Sequence, residues 1–227
     1  GLGMTNLGAV CNFEWSTPAN DTPEDIAAAA RYDAIYNRFF LGGLFRGEYP
    51  AEVIEGLGPH LPNGWQEDFA TIRAPIDWLG VNYYTRKIIR HADGPWPNYA
   101  DAPTRLPLTQ TGWEIYPDGL RDFLIRNAAE YSGDLPIFVT ENGMAHADSV
   151  DAPDTARIAY LDRHLCAVRE AIAAGAPVAG YFVWSLMDNY EWSLGYEKRF
   201  GLVHVDFESL ARTPKASYHA LERWWRG

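Results

Sequence analysis

The sequence predicts a single α/β domain over residues 1–227, built as half of an eight-stranded (β/α)8 barrel. Strand-like apolar segments alternate with helical patterns in the order β-α-β-α-β-α-β-α, which favours parallel strands covered by helices. Four such units fit either a small open sheet or half of a barrel. The half barrel is favoured because the chain starts within a strand-like run and its polar clusters follow strand ends, where barrel enzymes build their active sites.

The first unit is a strand at residues 7–11, followed by a helix that starts near residue 22. Asp21 or Thr22 can cap this helix, and Pro23 suits its first turn. The next apolar residues fall on one helical face, at positions Ala28, Tyr32, Ile35 and Phe39. The pair Gly42 and Gly43 is expected to end this helix.

The second strand is predicted at residues 76–84 and is followed by a loop over 91–112, a segment rich in Pro, Asp, Thr and Gly. A helical pattern returns at 120–131 and is expected to end at Gly133. The continuously apolar segment 136–140 is typical of a strand that is buried on both faces.

The last predicted elements complete the alternation of strands and helices. Apolar residues in steps of three and four predict a helix over 158–172, and a fourth strand is expected at 178–184. A hairpin-like piece at 201–207 and a terminal helix at 215–225 finish the chain.

Composition excludes several classes of partner and cofactor. The formal net charge is −11 at pH 7, whereas nucleic acids and anionic membrane surfaces require basic binding faces. There is no window of about 18 apolar residues to span a membrane and no visible signal peptide, so a cytoplasmic location is the default expectation. Two cysteines and six histidines show no metal-ligand spacing, and we expect neither a metal nor a cofactor.

Glu141 directly follows the predicted strand 136–140. A carboxylate at the end of a buried strand costs free energy unless it is paired or hydrogen-bonded. Taken alone, this residue fits a capping or salt-bridged glutamate as well as a catalytic one.

Two further polar clusters favour the catalytic interpretation of Glu141. Trp184 and Trp192 flank Glu191 after the fourth strand; a Trp face stacks on a sugar ring, and a carboxylate accepts hydrogen bonds from neighbouring hydroxyls. Asn82 and Tyr84 follow the second strand, where an amide and a phenol can orient a carboxylate and a sugar hydroxyl. The alternatives are a loop with two buried Trp residues, and a strand end with ordinary β-favouring tyrosines.

Five segments together resemble family 1 of the glycoside hydrolases, the β-glucosidase family. They are GVNYY at 80–84, GWEIYP at 112–117, TENG at 140–143, WSLMDNYEW at 184–192 and KRFGL at 198–202. Each segment is a weak signal alone, but all five occur in the order of the family, and the resemblance covers essentially the whole chain. It implies strands five to eight of a TIM barrel.

The resemblance also implies a role for each site residue. Glu141 is similar to the nucleophile that forms a covalent glycosyl-enzyme, and Tyr84 to its hydrogen-bonding partner. The residues implied to surround the sugar in the cleavage subsite are Asn82, Trp184, Glu191, Trp192 and Phe200, and those implied to contact the leaving group are Trp113 and Asn12. Members that cleave 6-phosphorylated sugars lack a carboxylate at the position of Glu191, so the resemblance implies neutral sugars.

The first half of the family pattern is missing. A retaining glycosidase needs a nucleophile and an acid/base carboxylate about 5–5.5 Å apart. In this family the acid/base glutamate lies in an Asn-Glu-Pro segment after the fourth barrel strand, and no Asn-Glu-Pro occurs in this sequence. Three explanations fit: a separate polypeptide supplies the N-terminal half, the chain is part of a longer protein, or the half stands alone as a dimer.

Opening a barrel exposes two strand edges and an apolar inner face, so we expect another chain to complete it. The expected function is a retaining β-glycosidase of β-glucosidase type, which hydrolyses terminal β-linked neutral sugars when a complementary N-terminal half supplies the acid/base group. The alternative is a non-catalytic half barrel that binds sugar weakly or serves as an assembly module.

Overall fold

A computed structural model describes residues 6–104, 106–147 and 153–226. Its strands are β1 (Gly8–Pro18), β2 (Trp78–His91), β3 (Tyr99–Asp101), β4 (Ile137–Asn142), β5 (Val178–Val183), β6 (Val203–Val205) and β7 (Arg212–Pro214). The main sheet has the order β1-β2-β4-β5 with all four strands parallel, as the alternating pattern predicted. β3 pairs antiparallel with the end of β2, and β6 and β7 form a separate antiparallel pair.

Seven α-helices are described. They are α1 (Pro23–Asp33), α2 (Phe39–Leu41), α3 (Ala51–Leu57), α4 (Phe69–Ile72), α5 (Pro117–Asn127), α6 (Thr155–Ala173) and α7 (Ala216–Arg226). Wider π-helical turns extend α1, α2 and α5, at Ala34–Arg38, Gly42–Arg46 and Ala128–Ser132. None of the helices among the described residues combines the length and apolarity needed to cross a bilayer.

The four parallel strands form a half barrel, as predicted, and α5 and α6 pack on its outer face. Alternate strand residues such as Leu79, Val81 and Val139 point to that face and are fully buried. They pack against apolar residues of α5 and α6, including Phe123 and Val168. The described strands do not close into a barrel, so the inner face of the sheet has no second layer among the described residues.

The predicted start of the first helix is confirmed, but its predicted end is wrong. The Thr22 hydroxyl caps α1 by accepting from the Asp25 backbone N–H, with Pro23 in the first turn. The helical chain passes through Gly42 and Gly43, because glycine is compatible with a helix when packing requires it. A Cβ on Gly42 would lie 2.6 Å from the backbone oxygen of Glu48. The helix ends instead at Gly47, which adopts a left-handed conformation with φ of 69°.

Three other predictions need correction. The strand at 136–140 is buried on its outer face only, because the inner residues Phe138 and Thr140 lie on the open side of the half barrel. The predicted loop over 91–112 contains β3. The partner of β6 is β7, which lies beyond the predicted hairpin segment of 201–207. α3 and α4 were not predicted.

Candidate active site

A cleft of about 480 Å³ opens at the carboxyl ends of the parallel strands, within the range of roughly 300–1,000 Å³ that is usual for small-molecule sites. It brings together all but one of the residues that the sequence singled out. Those lining it are Asn12, Asn82, Tyr84, Trp113, Glu141, Trp184, Glu191 and Trp192. The cleft lies where the parallel topology brings strand ends together.

Phe200 is the exception, because it lies behind the cleft wall with only 1% of its surface exposed. Its ring centroid is 6.2 Å from that of Tyr84 and 6.1 Å from that of Trp113. The buried carboxylate of Asp188 accepts from the Gly201 backbone N–H at 2.9 Å and holds this segment inward. Phe200 therefore supports two cleft residues and is not part of the cleft surface.

Glu141 lies at the end of β4, opposite Asn82 of β2. The Tyr84 hydroxyl donates a hydrogen bond of 2.6 Å to its Oε2 atom. Burial, and then this contact with Glu141, raise the pKa of Tyr84, so the phenol keeps its proton and remains a donor. A hydrogen bond from a fixed phenol orients the carboxylate.

The residue after Glu141 anchors the strand end, a role that the sequence analysis did not assign. Asn142 is fully buried, and its amide donates to the Tyr83 backbone oxygen at 2.7 Å and to the Tyr160 hydroxyl at 3.0 Å. Its carbonyl oxygen accepts from the Tyr181 hydroxyl at 2.5 Å. One side chain thus ties β4 to β2, α6 and β5, and fixes the backbone that carries Glu141.

A glycine allows the loop after β5 to approach this strand end. A Cβ on Gly143 would lie 1.8 Å from the backbone oxygen of Trp184, so only glycine fits. The backbone N–H of Trp184 also donates to the Asn142 backbone oxygen at 2.9 Å. The close approach brings Trp184 and Glu191 into the same cleft as Glu141.

Glu191 is a largely buried acceptor at the cleft. It is 8% exposed, and the indole N–H of Trp184 donates to its Oε2 atom at 3.4 Å. Burial raises the pKa of Glu191; the Trp184 contact opposes that rise and the nearby charge of Glu141 adds to it. Trp192 lies at the rim, where it is 82% exposed.

Glu14 and Tyr36 also line the cleft, and neither was predicted from the sequence. The available signal was strand alternation, since Glu14 lies two residues after Asn12 on the same strand. In the part of the chain that the structure describes, no group of three or more His, Cys, Asp or Glu side chains could hold a metal ion.

Comparison with known proteins agrees with this geometry. A bifunctional β-D-glucosidase/β-D-fucosidase from Bifidobacterium breve is 42% identical over 225 residues, which cover 89% of this chain and 48% of that protein. A 6-phospho-β-galactosidase from Streptococcus mutans is 39% identical, covering 87% of this chain and 49% of that protein. A solved structure of a Thermotoga maritima β-glucosidase in complex with deoxynojirimycin has a TM-score of 0.93 at 35% identity, covering 97% of this chain and 51% of that one.

The chain spans about half the length of the curated relatives it matches. The shared half is the C-terminal one, as the resemblance of the five sequence segments implied. The family model described as glycosyl hydrolase family 1 matches residues 3–225, so the chain belongs to that family.

Proposed function

We propose that the chain carries the nucleophile half of a retaining β-glycosidase that acts on terminal β-linked neutral sugars. The observation that carries this proposal is the pair of Glu141 and Tyr84, 2.6 Å apart, in a cleft shared with Trp184 and Glu191. A carboxylate held by a phenol supplies an oriented nucleophile, and the indole and second carboxylate supply a stacking face and an acceptor for hydroxyls.

The proposed reaction has two steps. A Glu141 oxygen attacks the anomeric carbon while the bond to the leaving-group oxygen breaks, and that oxygen takes a proton from the acid/base carboxylic acid. The resulting carboxylate then removes a proton from water, whose oxygen displaces Glu141 from the anomeric carbon. The second carboxylate lies about 5–5.5 Å from the first in retaining enzymes.

We propose that a complementary N-terminal half, carrying the Asn-Glu-Pro segment, supplies that acid/base group. Two observations support this partner. The chain spans about half of its relatives, and the strands at the two ends of the described sheet, β1 and β5, each pair with one neighbour only. Unpaired strand edges are ready to pair with another strand.

Neutral sugars are favoured over phosphorylated ones by the charge of the cleft. Glu14, Glu141 and Glu191 all line it, and a sugar phosphate would bring its negative charge close to these carboxylates. Overall similarity does not separate the two substrate classes, because a 6-phospho-β-galactosidase is among the relatives. The carboxylate of Glu191 therefore carries this part of the proposal.

The test is intact-protein mass spectrometry after incubation with an activated 2-deoxy-2-fluoro-β-glucoside, with the chain alone and with the complementary half. We expect one added fluoroglucosyl group, and peptide mapping should locate it on Glu141. Glu141→Gln should give no adduct, whereas Glu197→Gln, a change at an exposed acid, should leave labelling intact. An adduct on another residue, or none in either preparation, would contradict the assignment.

The second candidate is a half barrel that binds sugar without catalysis, which the missing Asn-Glu-Pro segment favours. The two candidates differ in hydrolysis of cellobiose, whose leaving group needs protonation. The catalytic candidate predicts hydrolysis when the complementary half is added and very little with the chain alone. Binding of cellobiose by the assembled protein without turnover would favour the non-catalytic candidate.

A further inference from the structure

The loop that follows β5, residues 184–192, carries Trp184 and Glu191 into the cleft. Between them lies Asp188, which does not line the cleft and whose side chain is completely buried. The proposed mechanism assigns no step to Asp188. A buried carboxylate costs free energy unless it is paired and hydrogen-bonded, so the partners of Asp188 show what the loop is attached to.

Both oxygens of the Asp188 carboxylate accept hydrogen bonds from residues beyond the loop. Oδ1 accepts from the Gly201 backbone N–H at 2.9 Å and from Lys215 Nζ at 3.1 Å. Oδ2 accepts from Arg199 Nη1 at 2.7 Å and from the Val205 backbone N–H at 3.3 Å. Two cations and two backbone amides thus meet one carboxylate, and hydrogen bonds between charged groups are stronger than those between neutral ones.

Most of these donors belong to secondary structure or border it. Lys215 directly precedes α7 and its side chain is only 3% exposed, while Val205 is the last residue of β6. Arg199 is itself held in place, because Nη1 also donates to the Val205 backbone oxygen at 2.9 Å and its guanidinium lies 4.7 Å from the ring centroid of Phe207. Asp188 therefore ties the loop to β6 and to the start of α7.

The backbone up to Asp188 is attached to the same part of the chain. The Val203 N–H donates to the Leu186 backbone oxygen at 2.9 Å, and the Asp188 N–H donates to the Val203 backbone oxygen at 3.0 Å. A Cβ on Gly201 would lie 2.1 Å from the Asp188 backbone nitrogen, so only glycine permits this approach. The first part of the loop is thus fixed as far as Asp188.

The position of Glu191 depends on this backbone, because its side chain has few contacts of its own. Its hydrogen bond with Trp184 is long, at 3.4 Å, and among the described residues Glu191 forms no ion pair. Trp192 has a left-handed φ of 45° although its side chain is 82% exposed. A non-glycine residue keeps such a strained conformation only when the surrounding chain imposes it. Asp188 fixes that chain three residues before Glu191.

We propose that Asp188 is a positioning residue for Glu191: by fixing the loop at 184–192, it orients the Glu191 carboxylate towards a hydroxyl of the bound sugar. The inference rests on the proposed function, in which Glu191 accepts from sugar hydroxyls. A shift of Glu191 weakens a directional hydrogen bond, whereas Glu141 and Tyr84 lie on other strands and keep their places. Loss of Asp188 should therefore reduce the preference for the sugar that carries this hydroxyl.

The experiment uses the assembled enzyme with 4-nitrophenyl β-glucoside and with its 4-deoxy and 6-deoxy analogues, which each lack one hydroxyl. The discrimination ratio is kcat/KM for the glucoside divided by kcat/KM for the analogue. Glu191→Ala should lower this ratio for at least one analogue, which then serves as the probe. Asp188→Asn should lower the same ratio about 10-fold, because an amide offers one acceptor oxygen to four donors that require two. In the double variant the ratio should equal that of Glu191→Ala, because Asp188 acts through Glu191.

A second variant tests the same attachment with a smaller change. Lys215→Met removes one of the two cations and keeps a side chain of similar length, so it should lower the discrimination ratio by about threefold. It decides the question if Asp188→Asn does not fold. Glu197→Gln, at an exposed acid in the neighbouring segment, is the matched control and should leave the ratio unchanged.

Four results would contradict parts of this scheme. Equal losses of kcat/KM for the glucoside and its analogues in Asp188→Asn and Lys215→Met would show that Asp188 supports only the fold. A ratio lower in the double variant than in Glu191→Ala would show that Asp188 does not act through Glu191. An unchanged ratio in Glu191→Ala would remove Glu191 as an acceptor, and the positioning role with it. Inactivity of the unaltered assembled enzyme on all three substrates would instead reject the proposed function.

Discussion

The two faces of the central sheet differ in how completely this chain covers them. On the outer face, Leu79 and Ile137 are fully buried under α5 and α6. On the inner face, Val10 and Phe182 are 48% and 57% exposed. The outer face supplies the hydrophobic core of the described residues, whereas the inner face presents partly exposed apolar side chains.

The side chains on the inner face are nevertheless arranged in a row across the strands, as in the interior of a barrel. Val10, Gly80, Phe138 and Gly180 lie side by side across four neighbouring strands. A Cβ on Gly80 would lie 2.6 Å from Val10, and one on Gly180 2.7 Å from Phe138. Large side chains from alternate strands thus fill the space over intervening glycines, which is how the layers inside a closed barrel are built.

The largest effect is expected on catalysis when the proposed nucleophile is replaced, and this change should leave folding nearly unaffected. Glu141→Gln in the assembled enzyme should lower kcat for 4-nitrophenyl β-glucoside by about 10,000-fold or more, because the nucleophile is removed while the shape is kept. Urea unfolding of the chain should change little. A variant with a near-normal rate would remove Glu141 from the mechanism.

The second prediction compares matched substitutions on the two faces. Phe123→Ala removes a fully buried ring from the outer core and should lower the free energy of unfolding by about 3–5 kcal/mol. Phe182→Ala, on the inner face, should lower it by less than about 1 kcal/mol, because its ring is more than half exposed. Urea denaturation of the isolated chain measures both. Similar losses for the two variants would mean that the inner face is already covered in solution.

The third prediction concerns assembly with the complementary half. Phe182→Asp should leave the circular dichroism spectrum of the chain unchanged, since the residue is exposed there. It should weaken association with the complementary half by about 100-fold, roughly 2–3 kcal/mol, because a charge would be buried without a partner. Calorimetric titration measures the affinity, and Glu55→Gln is the control. An unchanged affinity would show that the inner face is not part of the interface.

Features set by local chain patterns were predictable from the sequence. The start of α1 after a capping Thr or Asp and the parallel order of the strands follow from caps and periodicity. The meeting of Glu141 with Tyr84 was implied by the resemblance to a known family. The resemblance also implied most of the cleft residues, and their side chains converge because they lie near the carboxyl ends of parallel strands.

Features set by tertiary contacts were not predictable in this way. Gly42 does not end its helix, because a close approach to the Glu48 backbone selects glycine there. Phe200 is buried because Asp188 holds its segment inward. Glu14 lines the cleft, and its backbone is held by Asn37, which lies 23 residues away in the sequence.

The smallest effect is expected in the pH dependence of the free energy of unfolding. It tests whether water is excluded from the core between the sheet and α6. His164 of α6 is fully buried, stacked on Tyr160 with ring centroids 3.9 Å apart, and burial lowers its pKa to about 4. In the unfolded chain the value is about 6.5, so between these values the unfolded state binds more protons. The free energy of unfolding should therefore fall by about 2 kcal/mol between pH 7 and pH 5 through this group.

Urea unfolding is measured between pH 5 and pH 7 for the unaltered chain, His164→Gln and His60→Gln. The comparison separates the contribution of His164 to the pH dependence of the free energy of unfolding from that of the carboxylates. His164→Gln should lose the part of the pH dependence that this imidazole causes, whereas His60→Gln, at an exposed histidine, should keep it. An identical slope in all three would show that His164 titrates alike in the folded and unfolded states, and hence that water reaches the outer core. A slope lost only in His164→Gln would show that water is excluded from the side of the sheet beneath α6, where His164 is fully buried.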